Sequence, residues 1–261
     1  MTRYCVLSIP RTGSTWMVND VGRHYSTLKN YITLNEYFTP FMKDNVCYHL
    51  DENNMIYSTI EKDHIEISDV NEFRNKRLDI LLKGDKNQPL IIKYMYWSHA
   101  VPENSDLENL QKIKDHNITI VNINRNPFES TISLLISKRT GVTHHWDTES
   151  ESWYSTEAGR QTEISVTKVS IRPSDFEGLY TSFLIAYNDK LKLVDNLGCI
   201  TVNYNTLESD CLNNNIPLEV NPHSKKLYDI PYSEIIQNYE ELLEIKHKID
   251  SIAHLLNNKK I

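Results

Sequence analysis

Four short apolar runs, Tyr4–Ile9, Leu90–Tyr96, Ile118–Asn124 and Cys199–Tyr204, stand apart along the chain, each bounded by polar or turn-forming residues. Between and after them the apolar spacing becomes helical, over Ser14–Leu28, Asp106–Asp115, Pro127–Lys138, Asp175–Asn196 and Ser233–Leu256. Several of these segments open on Ser, Asp or Pro, as helices commonly do. A run that is apolar at every position suits a strand covered on both faces, which is the condition of a parallel sheet. Strand alternating with helix predicts an α/β fold with a mainly parallel central sheet. Two stretches, Glu36–Asn75 and Thr140–Arg172, are polar and aromatic without a sustained period. Long connections at the carboxyl ends of strands usually form the binding site in such folds.

The chain of 261 residues is read as one domain, 1–261; 39% hydrophobic and 24% charged residues suit a packed core, and seven glycines leave little for flexible linkers. A formal net charge of −7 provides no global positive field for nucleic acid or an anionic membrane. An anionic ligand must therefore be held by a local cluster of donors. Cys5, Cys47, Cys199 and Cys211 form no CxxC pair and have no histidine at zinc-ligand spacing, so neither a disulfide scaffold nor a metal site is expected, and a reducing compartment fits. No run approaches ~20 apolar residues and the N-terminal apolar stretch is too short for a signal peptide, so a cytoplasmic protein without a membrane span is expected. The abundance of Asn, Lys, Ile and Tyr fits an AT-rich genome such as that of a bacterium or phage.

Strand Tyr4–Ile9 runs directly into Pro10, Arg11, Thr12, Gly13, Ser14, Thr15 and Trp16 and then into a helix. A tight loop of this kind aims backbone N–H groups at a helix N-terminus, where they lack intrahelical partners and the dipole is positive, so an anion is favoured there. Gly13 permits close approach, Ser14 and Thr15 add hydroxyls, and Arg11 adds a charged donor. A plain helix cap by Thr12 or Ser14 is the alternative. GxxxxGK[ST] is absent, which disfavours a nucleoside triphosphate held with Mg²⁺. A second constellation follows strand Ile118–Asn124: Arg125, Asn126 and Pro127, with Ser133 eight residues after the arginine and inside the next helix. Arg125 offers a bidentate fork suited to phosphate and Ser133 a neutral donor. Arg-Asn-Pro is also an ordinary helix start; the two motifs, in this order and each after a strand, are what carry weight.

Pro10–Trp16 resembles the 5′-phosphosulfate loop of sulfotransferases that use 3′-phosphoadenosine 5′-phosphosulfate (PAPS), and Arg125-Asn126-Pro127 with Ser133 is similar to their 3′-phosphate signature. The resemblance implies a fold like that of the P-loop NTPases, three layers α/β/α. It also implies that Arg11, Thr12, Gly13, Ser14, Thr15 and Trp16 bind the donor, with Arg11 steadying the leaving oxygen and Trp16 against the adenine. PAPS would be the donor and 3′,5′-adenosine bisphosphate (PAP) the product, with no metal.

Leu34-Asn35-Glu36-Tyr37-Phe38 looks like a string that holds a proposed catalytic base in bacterial members, which makes Glu36 the candidate base. Cytosolic eukaryotic members use a His two residues after a Lys at a strand end. Here Lys93 is followed by Met95, and His99 is the nearest substitute, ranked below Glu36. Lys93 itself is a candidate to face the transferring group. Tyr204 resembles the tyrosine near the adenine, with a core tyrosine as the alternative. Lys225 and Lys226 occupy the place of a late basic loop over the 3′-phosphate, although the usual Arg-Lys-Gly is missing. His144 and His145, beside Trp146 and Asp147, are read as part of an acceptor-facing loop rather than a metal site.

The expected chemistry is in-line transfer of a sulfuryl group to a hydroxyl or amine of a carbohydrate, lipid-linked glycan or small metabolite. Two alternatives differ in kind: a non-catalytic PAP- or PAPS-binding module, and a P-loop nucleoside or nucleotide kinase.

Overall fold

A computed structural model describes residues 3–10, 14–25, 31–34, 38, 46–60, 70–96, 105–140, 168–219 and 231–258. Its contacts group into two compact units, Met1–Arg125 with Ala186–Asn221, and Asn126–Ile185 with Pro222–Ile261.

The first unit is built on a parallel sheet. Strand β1 (Arg3–Ser8) leads into helix α1 (Ser14–Tyr25) and edge strand β2 (Ile32–Leu34). A separate antiparallel hairpin follows, β3 (Val46–Leu50) and β4 (Ile56–Ile60), then helix α2 (Val70–Lys83). Strand β5 (Leu90–Met95), helix α3 (Ser105–Asp115) and strand β6 (Thr119–Asn124) come next. Helix α4 (Pro127–Thr140) belongs to the second unit, and helix α5 (Pro173–Leu197) runs from the second unit into the first. The first unit closes with strand β7 (Ile200–Asn203), a 3₁₀ turn over Tyr204–Thr206 and helix α6 (Leu207–Asn213).

The sheet order is β2-β5-β1-β6-β7 with every pairing parallel. β1 and β5 are buried at all positions, as expected of the apolar runs that form them. Lys93 and Tyr94 leave β5 on opposite faces because side chains alternate along a strand. Lys93 meets α1, while Tyr94 meets Asp106 of α3 and lies under Arg74 of α2, so helices flank both faces. On the α1 side, Val6, Ile91, Val121, Ile123 and Val202 of the sheet pack with Met17, Val18 and Val21 of α1 and Cys211 of α6. Gly22 lets α1 lie close to the edge strand: a Cβ there would stand 2.7 Å from Thr33 Oγ1.

Numbered within the sheet the order reads 2-3-1-4-5, unlike the dinucleotide-binding order 3-2-1-4-5 or the flavodoxin order 2-1-3-4-5. The connection leaving β1 travels toward β2, and those leaving β5 and β6 travel the other way. The carboxyl end of β1 is therefore the topological switch point, where ligands bind in open α/β sheets.

The second unit packs Phe128, Ile132 and Ile136 of α4 against Phe176 and Tyr180 of α5. Its remaining elements are helix α7 (Tyr232–Ile235) and helix α8 (Tyr239–Asn258), which adds Leu242 to that core.

Several expected bounds shift. The helix expected over Ser233–Leu256 is divided, because Ile236 leaves helical conformation to bridge Val169 in parallel, and Asn238 exchanges hydrogen bonds with the backbone of Ile171. The last strand stops at Asn203, so Tyr204 opens the 3₁₀ turn instead of ending the strand. The stretch Glu36–Asn75, expected to be aperiodic, contains the hairpin and the start of α2.

Candidate functional site

Strand register brings two of the expected ligand groups to one end of the sheet. Leu7 of β1 pairs with Asn122 of β6, and Asn124 at the end of β6 pairs with Asn203 at the end of β7. The next residues, Arg125 and Tyr204, then meet: the guanidinium carbon stands 4.0 Å from the ring centroid. Such a contact attracts the cation to the ring face, and a guanidinium is a planar fork suited to an oxyanion. Asn124 reinforces the pair of strand ends by donating Nδ2–H to Asn203 Oδ1 at 3.3 Å.

Asn126 and Pro127 have a local explanation. Asn126 Oδ1 accepts the N–H of Phe128 at 2.9 Å, and the Asn126 carbonyl accepts the N–H of Ser130. Asn126 is thus the N-cap of α4 and Pro127 its first residue, where a missing N–H has no consequence. Within the motif, Arg125 and Ser133 are the two residues that the resemblance assigns to a ligand. Ser133 lies within α4 and is buried in the second unit.

At the end of β1, Ser14 opens α1 as a buried residue and Thr15 follows in the first turn. The Nζ of Lys93 donates to Thr15 Oγ1 at 3.1 Å. Lys93 is 3% exposed, so its ammonium is delivered through the sheet layer to the start of α1. The resemblance offered Lys93 as the strand-end lysine; its contact with Thr15 follows from β5 being the neighbour of β1, with Val6 opposite Lys93. Among the described residues, the cations and hydroxyls at this end of the sheet form a donor set suited to a phosphate or sulfate group.

On the opposite face, Arg74 Nη1 bonds Asp106 Oδ1 at 2.8 Å and Arg74 Nε donates to the Phe38 carbonyl at 3.3 Å. The Tyr94 hydroxyl donates to the same Asp106 oxygen, and its ring packs 4.9 Å from that of Phe38. Burial pushes the Asp106 carboxyl above its ordinary range, opposed by Tyr94 and Arg74, and burial beside Asp106 pushes the Tyr94 hydroxyl well up. The network ties Phe38, two residues beyond Glu36, to α2, α3 and β5.

A further buried cation escaped the sequence. Lys190 of α5 is fully buried and donates to the Ile123 carbonyl, near the end of β6, at 2.8 Å. Burial lowers its ammonium to about 7. A lysine within a helical pattern reads as a solvated position, so only the packing reveals it.

Arg11, Thr12, Gly13, Glu36, His99, Lys225 and Lys226 lie outside the described residues, as do His144, His145 and Trp146 and the side chain of Trp16. Among the described residues no group of three His, Cys, Asp or Glu is placed to hold a metal ion, and no helix is long and apolar enough to cross a membrane. The four cysteines are free thiols. No protein-family model matches the chain, and no curated protein matches its sequence.

Proposed function

We propose that the chain is a sulfotransferase taking the sulfuryl group of PAPS to a hydroxyl or amine, on a P-loop-like three-layer fold acting as a single functional domain. The observation that carries this is the meeting of Lys93 and Thr15, 3.1 Å apart, at the start of the helix that follows β1, the switch-point strand of the sheet. Arg125 stacked on Tyr204, at the ends of the two strands beyond β1, supports a second anion subsite for the 3′-phosphate. Two separate anion subsites suit a 3′,5′-bisphosphate better than a linear triphosphate.

PAPS would supply an activated sulfuryl group. Thr15, Ser14 and the first N–H groups of α1 hold the 5′ end by hydrogen bonds, and Lys93 with Arg11 stabilises the charge that grows on the leaving phosphate oxygen. Glu36 receives the acceptor proton as the acceptor oxygen or nitrogen bonds to sulfur and the sulfur–oxygen bond to phosphate breaks, releasing PAP. Tyr204 keeps Arg125 oriented. The acceptor is a carbohydrate, lipid-linked glycan or small metabolite, and the setting is the cytoplasm of a bacterium or of a phage-infected cell.

Calorimetric titration without magnesium tests the reading. Micromolar binding of PAP, lost in Arg125→Ala and much weaker for ATP, is the expected result. Preference for ATP with magnesium would move the chain to the kinases. PAP binding with no transfer from PAPS to a broad acceptor panel would leave a binding module.

A further inference from the structure

The second unit contains a cavity that the sulfotransferase reading does not use. It is a half-open cavity of about 470 Å³ between the last turns of α4 and the start of α5, and small-molecule pockets span ~300–1,000 Å³. Its apolar lining comes from Leu135, Ile171 and Leu179, of which Ile171 is buried in the core of the unit. Its polar lining is Lys138, Arg139, Arg172 and Asp175: three cations against one carboxylate. None of these four side chains forms an ion pair among the described residues.

Part of this charge has a local cause. Lys138 and Arg139 stand in the last turn of α4, where cations complement the negative end of the helix dipole, and Asp175 stands in the first turn of α5 for the converse reason. Arg172 has no such account. It precedes the positive end of α5, where a cation is disfavoured unless an anion is present. The local excess of positive charge also stands out on a chain of net charge −7. Three cations around an apolar floor, with no ion-pair partner among the described residues, make a local field that favours an anion.

We propose that this cavity is a binding site for a small organic anion: an apolar body seated on Leu135, Ile171 and Leu179, with an oxyanion held by Arg172, Lys138 and Arg139. Asp175, on the same rim, accepts a hydrogen bond from a donor on the ligand and repels a second anionic group placed near it. The arginines provide forked donors for a carboxylate, sulfate or phosphate monoester. All three cations are at the surface, so their attraction is screened by salt over about 8 Å at physiological ionic strength.

The test is a titration of the whole chain, without nucleotide, by 4-phenylbutanoate and by its uncharged analogue 4-phenylbutan-1-ol. The acid is expected to bind saturably and the alcohol at least tenfold more weakly. Arg172→Gln and the double variant Lys138→Gln/Arg139→Gln should each weaken the acid by roughly tenfold, the scale of a lost charge-assisted bond. Lys76→Gln, an exposed lysine of α2, should not. Raising salt should weaken the acid and leave the alcohol unchanged. Equal affinity for acid and alcohol, absence of saturable binding, or an acid affinity indifferent to the three cations would overturn the proposal. PAP titrated into Arg172→Gln separates this site from the nucleotide reading. Unchanged PAP affinity is expected, and a tenfold loss would assign the cavity to the nucleotide and refute an independent site.

Discussion

Arg125 lies over the ring of Tyr204, 4.0 Å from its centroid, at the adjoining ends of β6 and β7. If Arg125 grips the 3′-phosphate, removing it deletes a charge-assisted contact of about 1.5–3 kcal/mol. Arg125→Ala should therefore weaken PAP by roughly ten- to a hundredfold. Tyr204→Leu removes only the stacking, about 0.5–2 kcal/mol, and should weaken PAP less, while Tyr204→Phe keeps the ring and should bind almost normally. Calorimetry on the three variants decides it. Full PAP affinity in Arg125→Ala would refute the subsite.

Lys93 makes a different prediction because its partner, Thr15, sits at the start of α1 where the donor's 5′ end would lie. A cation that meets charge developing on the leaving oxygen contributes most in the transition state. Lys93→Met should lower kcat for sulfuryl transfer by about a hundredfold or more, the scale of one lost preorganised donor, with a smaller change in PAP affinity. Thr15→Val removes one acceptor from a buried ammonium and should cost about 1–3 kcal/mol in urea unfolding. A loss of PAP affinity equal to the loss of kcat in Lys93→Met would make the lysine a binding group only.

The sheet was legible where strands are buried on both faces. β1 and β5 are buried throughout and mostly apolar because helices cover them on each side, and such a run needs no knowledge of partners. β2 has three residues and sits at the edge, and the hairpin strands are only half-buried at Cys47, Tyr48, His49 and Leu50, so neither shows a clean alternation. The break before α8 arises from Ile236 bridging Val169, a contact 67 residues away that no local pattern encodes. The site divides in the same way. Arg125 and Ser133 were singled out by a resemblance to a 3′-phosphate signature, a pattern that lies within nine consecutive residues. The contact of Lys93 with Thr15, the stacking of Arg125 on Tyr204 and the burial of Lys190 depend on which strands are neighbours, and strand order is a tertiary fact.

Asp106 and Arg74 form a buried ion pair that also holds Tyr94 and the Phe38 carbonyl. Removing one partner leaves the other charged and desolvated, which costs about 3–5 kcal/mol. Asp106→Ala and Arg74→Met should each lower the unfolding free energy by that amount, and the double variant Arg74→Met/Asp106→Leu should recover most of it because apolar replacement of a whole buried pair is often neutral. Urea unfolding of the three proteins measures the coupling. Additive losses in the double variant would show that the two residues act independently.

Lys190 gives the chain a pH dependence with a definite sign. Its Nζ is fully buried, bonds the Ile123 carbonyl and lies 5.6 Å from the centroid of the Tyr187 ring. Burial lowers its pKa from 10.5 to about 7, with Cys199 opposing weakly. Below about 7 the amine is protonated in both folded and unfolded chains, and folding bears the whole penalty of burying the charge. Above that pH the folded chain has released a proton that the unfolded chain still binds, so the unfolded state holds more protons and stability rises with pH toward the unfolded value. The slope is at most about 1.4 kcal/mol per pH unit. Lys190→Met has no proton to release, and every other titrating group is common to both proteins. The stability of the wild type relative to Lys190→Met should accordingly increase by a few kcal/mol, on the order of 1 kcal/mol per unit, as urea unfolding is repeated from pH 7 to pH 9.5. A difference that stays constant across that range would mean that Lys190 keeps its proton in the folded chain. The Ile123 carbonyl and the Tyr187 ring would then be enough to hold a full charge in the core.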